Sequence, residues 1–164
     1  MTIYTGGCQC GAVRYRVDGA LSDPHLCHCR MCQKAAGNYF MPLAGARRDA
    51  FTVTRGEPAW FHSSDPVRRG FCAQCGTPLF FDDTTSSDHI AITLGSLDDP
   101  AAVPPVSVYG TEARMPFMAR IAAQDGPSTE DDSSSIRDIV ETIRLTNHQH
   151  PDHDTDAWPE GASS

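Results

Sequence analysis

Along residues 13–94 the hydrophobic and polar positions fall into short runs divided by turn residues, the habit of an all-β domain. Val13, Tyr15 and Val17 alternate with Arg14, Arg16 and Asp18, which predicts a strand with one packed face and one wet face. Further extended segments are expected near 39–44, 50–55, 58–62, 67–71, 78–82 and 89–94. Asp23-Pro24 predicts a turn, and residues 30–36 read as one or two helical turns ended by Gly37-Asn38. The period then changes. Ile136, Ile139, Val140 and Ile143 recur at the spacing of one helical face, and Ser135 stands three residues before Asp138 in a capping-box arrangement. A short amphipathic helix near 135–147 is therefore expected, with an apolar stripe that needs cover from its own domain or from a second copy, a possible homodimer contact.

Charge places the boundary between these two regimes. Residues 1–123 carry 11 Lys or Arg against 11 Asp or Glu, whereas residues 124–164 carry 2 against 10, so the whole net charge of −8 sits in the tail. Between them, residues 124–135 are polar, with Gly126-Pro127 and Ser133-Ser134-Ser135, and read as a linker or a disordered stretch. The expected organisation is one domain over 1–123 and an acidic tail over 124–164. A neutral domain with an acidic end argues against nucleic-acid binding, which needs a basic surface to displace counterions. No apolar stretch approaches the roughly 18 residues of a membrane span. Met1 to Cys10 has neither a basic segment nor an apolar core, so a reduced, cytoplasmic protein is expected.

The chemistry lies in seven cysteines in three clusters: Cys8 and Cys10, then Cys27, Cys29 and Cys32, then Cys72 and Cys75. A closed tetrahedral metal site takes four protein ligands, and a site that must admit something else takes three. On extended chain, side chains two apart share a face, so Cys8 and Cys10 can serve one ion. Cys72 and Cys75, followed by Gly76 free to take a positive φ, form a knuckle that completes a four-thiolate site. Cys27, Cys29 and Cys32 can wrap three sides of a second ion and leave its fourth corner open. Two zinc ions per chain are expected. Disulfides fit an odd count poorly. A redox pair at Cys29 and Cys32 is the competing reading, and it leaves Cys27 unexplained.

The runs Gly7-Cys8-Gln9-Cys10-Gly11-Ala12-Val13-Arg14-Tyr15, Cys27-His28-Cys29-Arg30-Met31-Cys32-Gln33-Lys34-Ala35-Ala36-Gly37, Phe71-Cys72-Ala73-Gln74-Cys75-Gly76-Thr77-Pro78-Leu79 and Leu97-Asp98-Asp99-Pro100 resemble the glutathione-dependent formaldehyde-activating enzyme (GFA) family, which includes centromere protein V. The resemblance spans about residues 3–120. It implies a mostly β, Mss4-like zinc-stabilised domain (a β-tent), here with an acidic helical tail outside the matched region. It implies a structural zinc on Cys8, Cys10, Cys72 and Cys75 and a catalytic zinc on Cys27, Cys29 and Cys32. The implied reaction is a carbon-sulfur lyase chemistry of the S-(hydroxymethyl)glutathione synthase type, with a small thiol and a small aldehyde as substrates. A non-catalytic, zinc-stabilised interaction module is the alternative.

Zinc with three thiolates carries a net charge of minus one and suits thiol chemistry better than water activation. A cation at Arg30 or Lys34 would soften that charge, and Arg68, Arg69, Arg114 and Arg120 are available for substrate carboxylates. His28, between two ligands, is expected to point away and pack. His148, His150 and His153, beside Asp152 and Asp154, read as a solvated tail rather than a metal site.

Overall fold

The computed structural model describes residues 2–85, 88–126, 128 and 137–158. Residues 127 and 129–135 of the expected linker, and Ser135 and Ile136 at the start of the expected tail helix, lie outside the described residues. In chain order, β1 (Ile3–Gly7) and β2 (Arg14–Asp18) form a hairpin, and β3 (Ser22–Cys27) leads into α1 (Arg30–Ala36). Strands β4 (Met41–Arg47), β5 (Phe51–Arg55), β6 (Ala59–His62), β7 (Val67–Phe71), β8 (Pro78–Asp83) and β9 (His89–Thr93) follow. The chain continues through β10 (Ser107–Tyr109) to α2 (Met118–Ala122) and α3 (Arg137–Thr146).

The strands make two sheets, one ordered β1-β2-β5 and one ordered β10-β3-β4-β9-β8-β7-β6. The fold is mostly β, as the alternation along the chain predicts. The core lies between the sheets, where Tyr15 and Val17 of β2 meet Leu79 and Phe80 of β8 and Ile90 and Ile92 of β9, all buried. Tyr15, Phe51 and Phe80 pack edge-on or tilted, with ring centroids 5.2–5.9 Å apart, an arrangement that contributes beyond area burial alone. The Tyr15 hydroxyl is matched by Ser96 Oγ at 2.8 Å, so its burial leaves no polar atom unpaired.

Three expectations change. Asp23-Pro24 does not end the chain's extension but lies inside β3, where the register with β4 shifts between Ser22 and His25 and Asp23 takes φ 45. Such a bulge absorbs an extra residue while the strand continues. Arg14 does not face water: it is 3% exposed, because its guanidinium is sandwiched between Asp98 (2.6 and 2.7 Å) and Asp154 (2.6 Å). The acidic tail is also not simply solvated. His150 N–H donates to Gln9 O at 2.7 Å, its ring packs on Trp158, and Arg55 donates to Thr155, so residues 149–158 lie across the end of the β1–β2 hairpin. His150 is 4% exposed there. Periodicity missed this contact because it is made by single polar residues with no repeat.

The tail helix is present, with two residues of its stripe on the surface and Val140 half-buried. Ile139 and Ile143 are each 60% exposed. Among the described residues no helix is long and apolar enough to cross a membrane.

Candidate metal centres

Two tight turns gather four of the seven sulfurs. Between β1 and β2, Cys8 N–H donates to Val13 O (2.9 Å) and Gly11 N–H to Cys8 O (3.0 Å), so the first pair sits on a turn rather than on extended chain. Gly11 at φ 73 permits that reversal, and a Cβ there would lie 2.3 Å from the His150 ring. Between β7 and β8, Cys72 N–H donates to Thr77 O (3.0 Å) and Gly76 N–H to Cys72 O (2.9 Å), with Gly76 at φ 77 as the spacing predicts.

The turns face each other across the two sheets. Cys8 and Cys10 Sγ are 3.6 Å apart, Cys10 and Cys72 Sγ 3.8 Å, and all four sulfurs, Cys75 included, lie within 4.8 Å of one another. Four sulfurs at the usual zinc–sulfur length of ~2.3 Å stand ~3.8 Å apart at tetrahedral corners, whereas a disulfide needs ~2.05 Å. The spacing therefore fits a metal, and all seven cysteines are free thiols. Backbone N–H groups of Val13 and Gln74 donate to Cys8 Sγ (3.2 Å) and Cys72 Sγ (3.4 Å), the arrangement that stabilises sulfur carrying negative charge. Burial pushes the Cys8 thiol up to about 12. At Cys75 burial is outweighed by hydrogen bonds from Thr77 and Cys10, which bring it down to about 6.

The remaining three cysteines meet where β3 passes into α1. Cys27 closes the strand, Cys29 caps the helix by accepting from Cys32 N–H at 3.4 Å, and Cys32 follows within the first turn. Their sulfurs also lie within 4.8 Å of one another, and among the described residues no fourth His, Cys, Asp or Glu joins them. Each of the two groups can hold a metal ion. Desolvation raises Cys27 to about 12. At Cys29 desolvation is overcome by hydrogen bonds from the Cys32 amide and from the Cys27 and Cys32 thiols, which hold it below the ordinary thiol value.

What shapes this triad is the segment after β10, for which the sequence carried no clear signal. Strand β10 runs parallel to β3 with Tyr109 opposite Cys27, and His28 N–H donates to Tyr109 O at 2.8 Å. Buried Gln33 donates through Nε2 to His28 O and Ala113 O, both at 2.8 Å, locking the cysteine loop to that segment. Gly110, at φ 65, lies so close that a Cβ would come within 2.4 Å of the Cys29 amide nitrogen. Gly110→Ala is accordingly expected to displace the Cys27–Cys32 loop and lower the metal content relative to wild type by about one equivalent per chain, measured by elemental analysis, while the protein stays folded by circular dichroism.

His28 is buried and packs on Phe40 with centroids 5.7 Å apart, and its Nδ1 has no partner among the described residues. Arg68, one of the candidate substrate arginines, is instead taken up by Asp82, which is 1% exposed and also receives Arg48, and it stacks over Trp60 at 4.1 Å. Arg69 is the arginine that reaches the triad, donating to Cys32 Sγ at 3.6 Å. It lines, with Arg30, Met31, Lys34, Ala35, Phe61 and Ser63, a cavity of about 460 Å³ beside α1. Arg114 and Arg120 do not line it. The motif residue Asp98 serves the fold: Arg14 and Thr5 Oγ1 (2.5 Å) hydrogen-bond its carboxylate and, against the cost of burial, hold it below the usual carboxylate range. His148, His150 and His153 do not come together as a ligand group.

Comparisons with known proteins agree with this geometry. A family model described as "Glutathione-dependent formaldehyde-activating enzyme" matches residues 3–112, which contain all seven cysteines. A curated Halomonas elongata protein named "Putative glutathione-dependent formaldehyde-activating enzyme" is 29% identical over 129 residues, covering 73% of this chain and 82% of that protein. A Schizosaccharomyces pombe protein named as an uncharacterized lyase is 29% identical over 83 residues, 49% of this chain and 58% of its own length. A Rhodobacter sphaeroides crystal structure shares the fold with a TM-score of 0.52 at 22% identity, covering 63% of this chain and 98% of that one.

Proposed function

Because this chain belongs to the glutathione-dependent formaldehyde-activating enzyme family, we propose that it catalyses the addition of a small thiol, glutathione or a relative, to formaldehyde or another small aldehyde. In this reading Cys8, Cys10, Cys72 and Cys75 hold a structural zinc, and Cys27, Cys29 and Cys32 hold a catalytic one. The reaction forms one carbon–sulfur bond as the carbonyl π bond opens, and the thiol proton ends on the new hydroxyl oxygen. A zinc ion bound by three thiolates would supply an open, thiophilic position that favours the reactive thiolate form of a substrate.

The protein's own residues do the rest. Gln33 and the 109–113 segment hold the three sulfurs in one arrangement, so the site is organised before substrate arrives. Arg69 places a buried positive charge beside Cys32, which offsets the net negative charge of a three-thiolate centre. The cavity next to it gives the body of a substrate somewhere to lie.

The observation that carries this reading is the inequality of the two sulfur groups: one gathers four ligands, and the other three with no fourth His, Cys, Asp or Glu among the described residues. Its test is the rate of S-hydroxymethylglutathione formation from glutathione and formaldehyde, followed by NMR. Protein carrying two zinc equivalents is expected to exceed the spontaneous rate. A rate equal to the spontaneous one, with both equivalents present, would remove the proposal.

A further inference from the structure

Among the described residues, several arginines that leave bulk water are matched by carboxylates, and partly buried Arg55 by Gly11 O, His150 and Thr155. Arg14 has Asp98 and Asp154, and Arg48 and Arg68 share Asp82. Of the three cations around the cavity beside α1, Arg30 and Lys34 are exposed, Arg30 donating to Gln33 Oε1 at 3.2 Å, and Arg69 is buried. Neither Arg30, Lys34 nor Arg69 forms an ion pair with any described carboxylate, and no Asp or Glu lines the cavity. Arg69 is the acute case. It is 8% exposed, yet its partners are the soft acceptors Met41 Sδ (3.5 Å) and Cys32 Sγ (3.6 Å) and the face of Phe81 at 5.1 Å. A buried guanidinium has five donors; a Cys32 thiolate would answer one edge of it, and the other donors have no described carboxylate.

The cavity's other walls are apolar. Met31 and Phe61 are each 63% exposed, an unusual surface position for such side chains, and Ala35 completes that lining. A volume of about 460 Å³ lies within the ~300–1,000 Å³ common for small-molecule sites. Its contact with the triad runs through Arg69 and through Met31, the residue before Cys32.

We propose that this cavity binds the non-reacting part of the thiol substrate, and that it selects a thiol with an apolar body and a carboxylate but no ammonium group. The inference rests on the thiol-addition reading above and narrows its substrate class. A carboxylate would give the remaining donors of Arg69, with Lys34 and Arg30 beside them, an anion through charge-assisted hydrogen bonds. An alkyl or aryl body covers Met31 and Phe61. Glutathione offers carboxylates to the same cations but brings an ammonium group into a cavity with no acid, and it has no apolar body to cover Met31 and Phe61.

Titration calorimetry of the zinc-loaded full chain with 6-mercaptohexanoate, 6-mercaptohexan-1-ol and glutathione tests this. The carboxylate thiol is expected to bind roughly tenfold to a hundredfold tighter than the alcohol, the gain of charge-assisted hydrogen bonds, and tighter than glutathione. Lys34→Glu, on the exposed face of α1, and Phe61→Ser are each expected to remove at least about tenfold of that affinity, and the Met31 methyl NMR signal is expected to move on binding. Equal affinity for acid and alcohol, tighter binding of glutathione, or indifference to both substitutions overturns the proposal. Formaldehyde adduct rates with the same thiols separate it from the reaction itself. Acceleration with the binding order reversed sinks the cavity assignment alone, whereas the expected order without any acceleration sinks the reaction and leaves the cavity standing.

Discussion

Cys8→Ser is expected to yield a chain that does not unfold cooperatively on heating and that carries less than one tightly held metal per chain at the four-cysteine site. The two knuckles come from different sheets, Cys8 and Cys10 from the β1–β2 turn and Cys72 and Cys75 from the β7–β8 turn, so a metal there is a cross-link between layers. Apparent binding of a structural zinc is worth about 10–16 kcal/mol, against a net domain stability of about 5–15 kcal/mol, and its loss therefore rivals the whole margin. Thermal circular dichroism with elemental analysis checks this, and a cooperative transition within a few degrees of wild type would sink it. Acid should imitate the mutation. Metal needs deprotonated sulfur, and burial raises Cys8 to about 12 in the metal-free site, so binding releases protons and affinity falls as pH falls. Zinc release, and unfolding with it, is expected on acidification, with no comparable release on raising pH from neutrality toward 9.

Cys29→Ser is expected to do the opposite: the fold survives and the reaction is lost. Its group lies on one side of the larger sheet, among β3, α1 and β10, and ties no two layers together. Metal content should fall from two equivalents to one, the melting temperature should stay close to wild type, and adduct formation should drop by more than ~100-fold, beyond the 10–100-fold typical of losing a residue that only supports a metal ligand. Retained catalysis in a protein with one metal would contradict the assignment of the triad. Cys29 is the informative choice because its sulfur also caps α1, so the serine, itself a good cap, preserves the local helix start while removing the thiolate.

Much of this was legible from local rules. The alternation around Tyr15 predicted β2, the runs at 67–71, 78–82 and 89–94 match β7, β8 and β9 within about a residue at either end, and Gly37 and Gly76 take the positive φ their positions demand. The three-to-four division of the cysteines was readable because ligand spacing within a cluster is a property of the chain itself. Arg14 was misread, since its position on the outer face of β2 says nothing about Asp98 and Asp154, which arrive from 84 and 140 residues away. Gly110 and Gln33 were invisible for the same reason: each matters through a contact with a backbone segment remote in sequence.

The order of residues alone settled which sulfurs could act together within each cluster, where the strands run and that the tail carries the charge, because those follow from periodicity, turn chemistry and composition over a few neighbouring positions. That Arg69 rather than Arg68 meets the triad, that a cavity with three cations and no acid lies near it, and that His150 is buried against the first knuckle came only with the packed molecule. Adjacent arginines on a strand point to opposite faces, and which face carries a site depends on what the other layer brings to it.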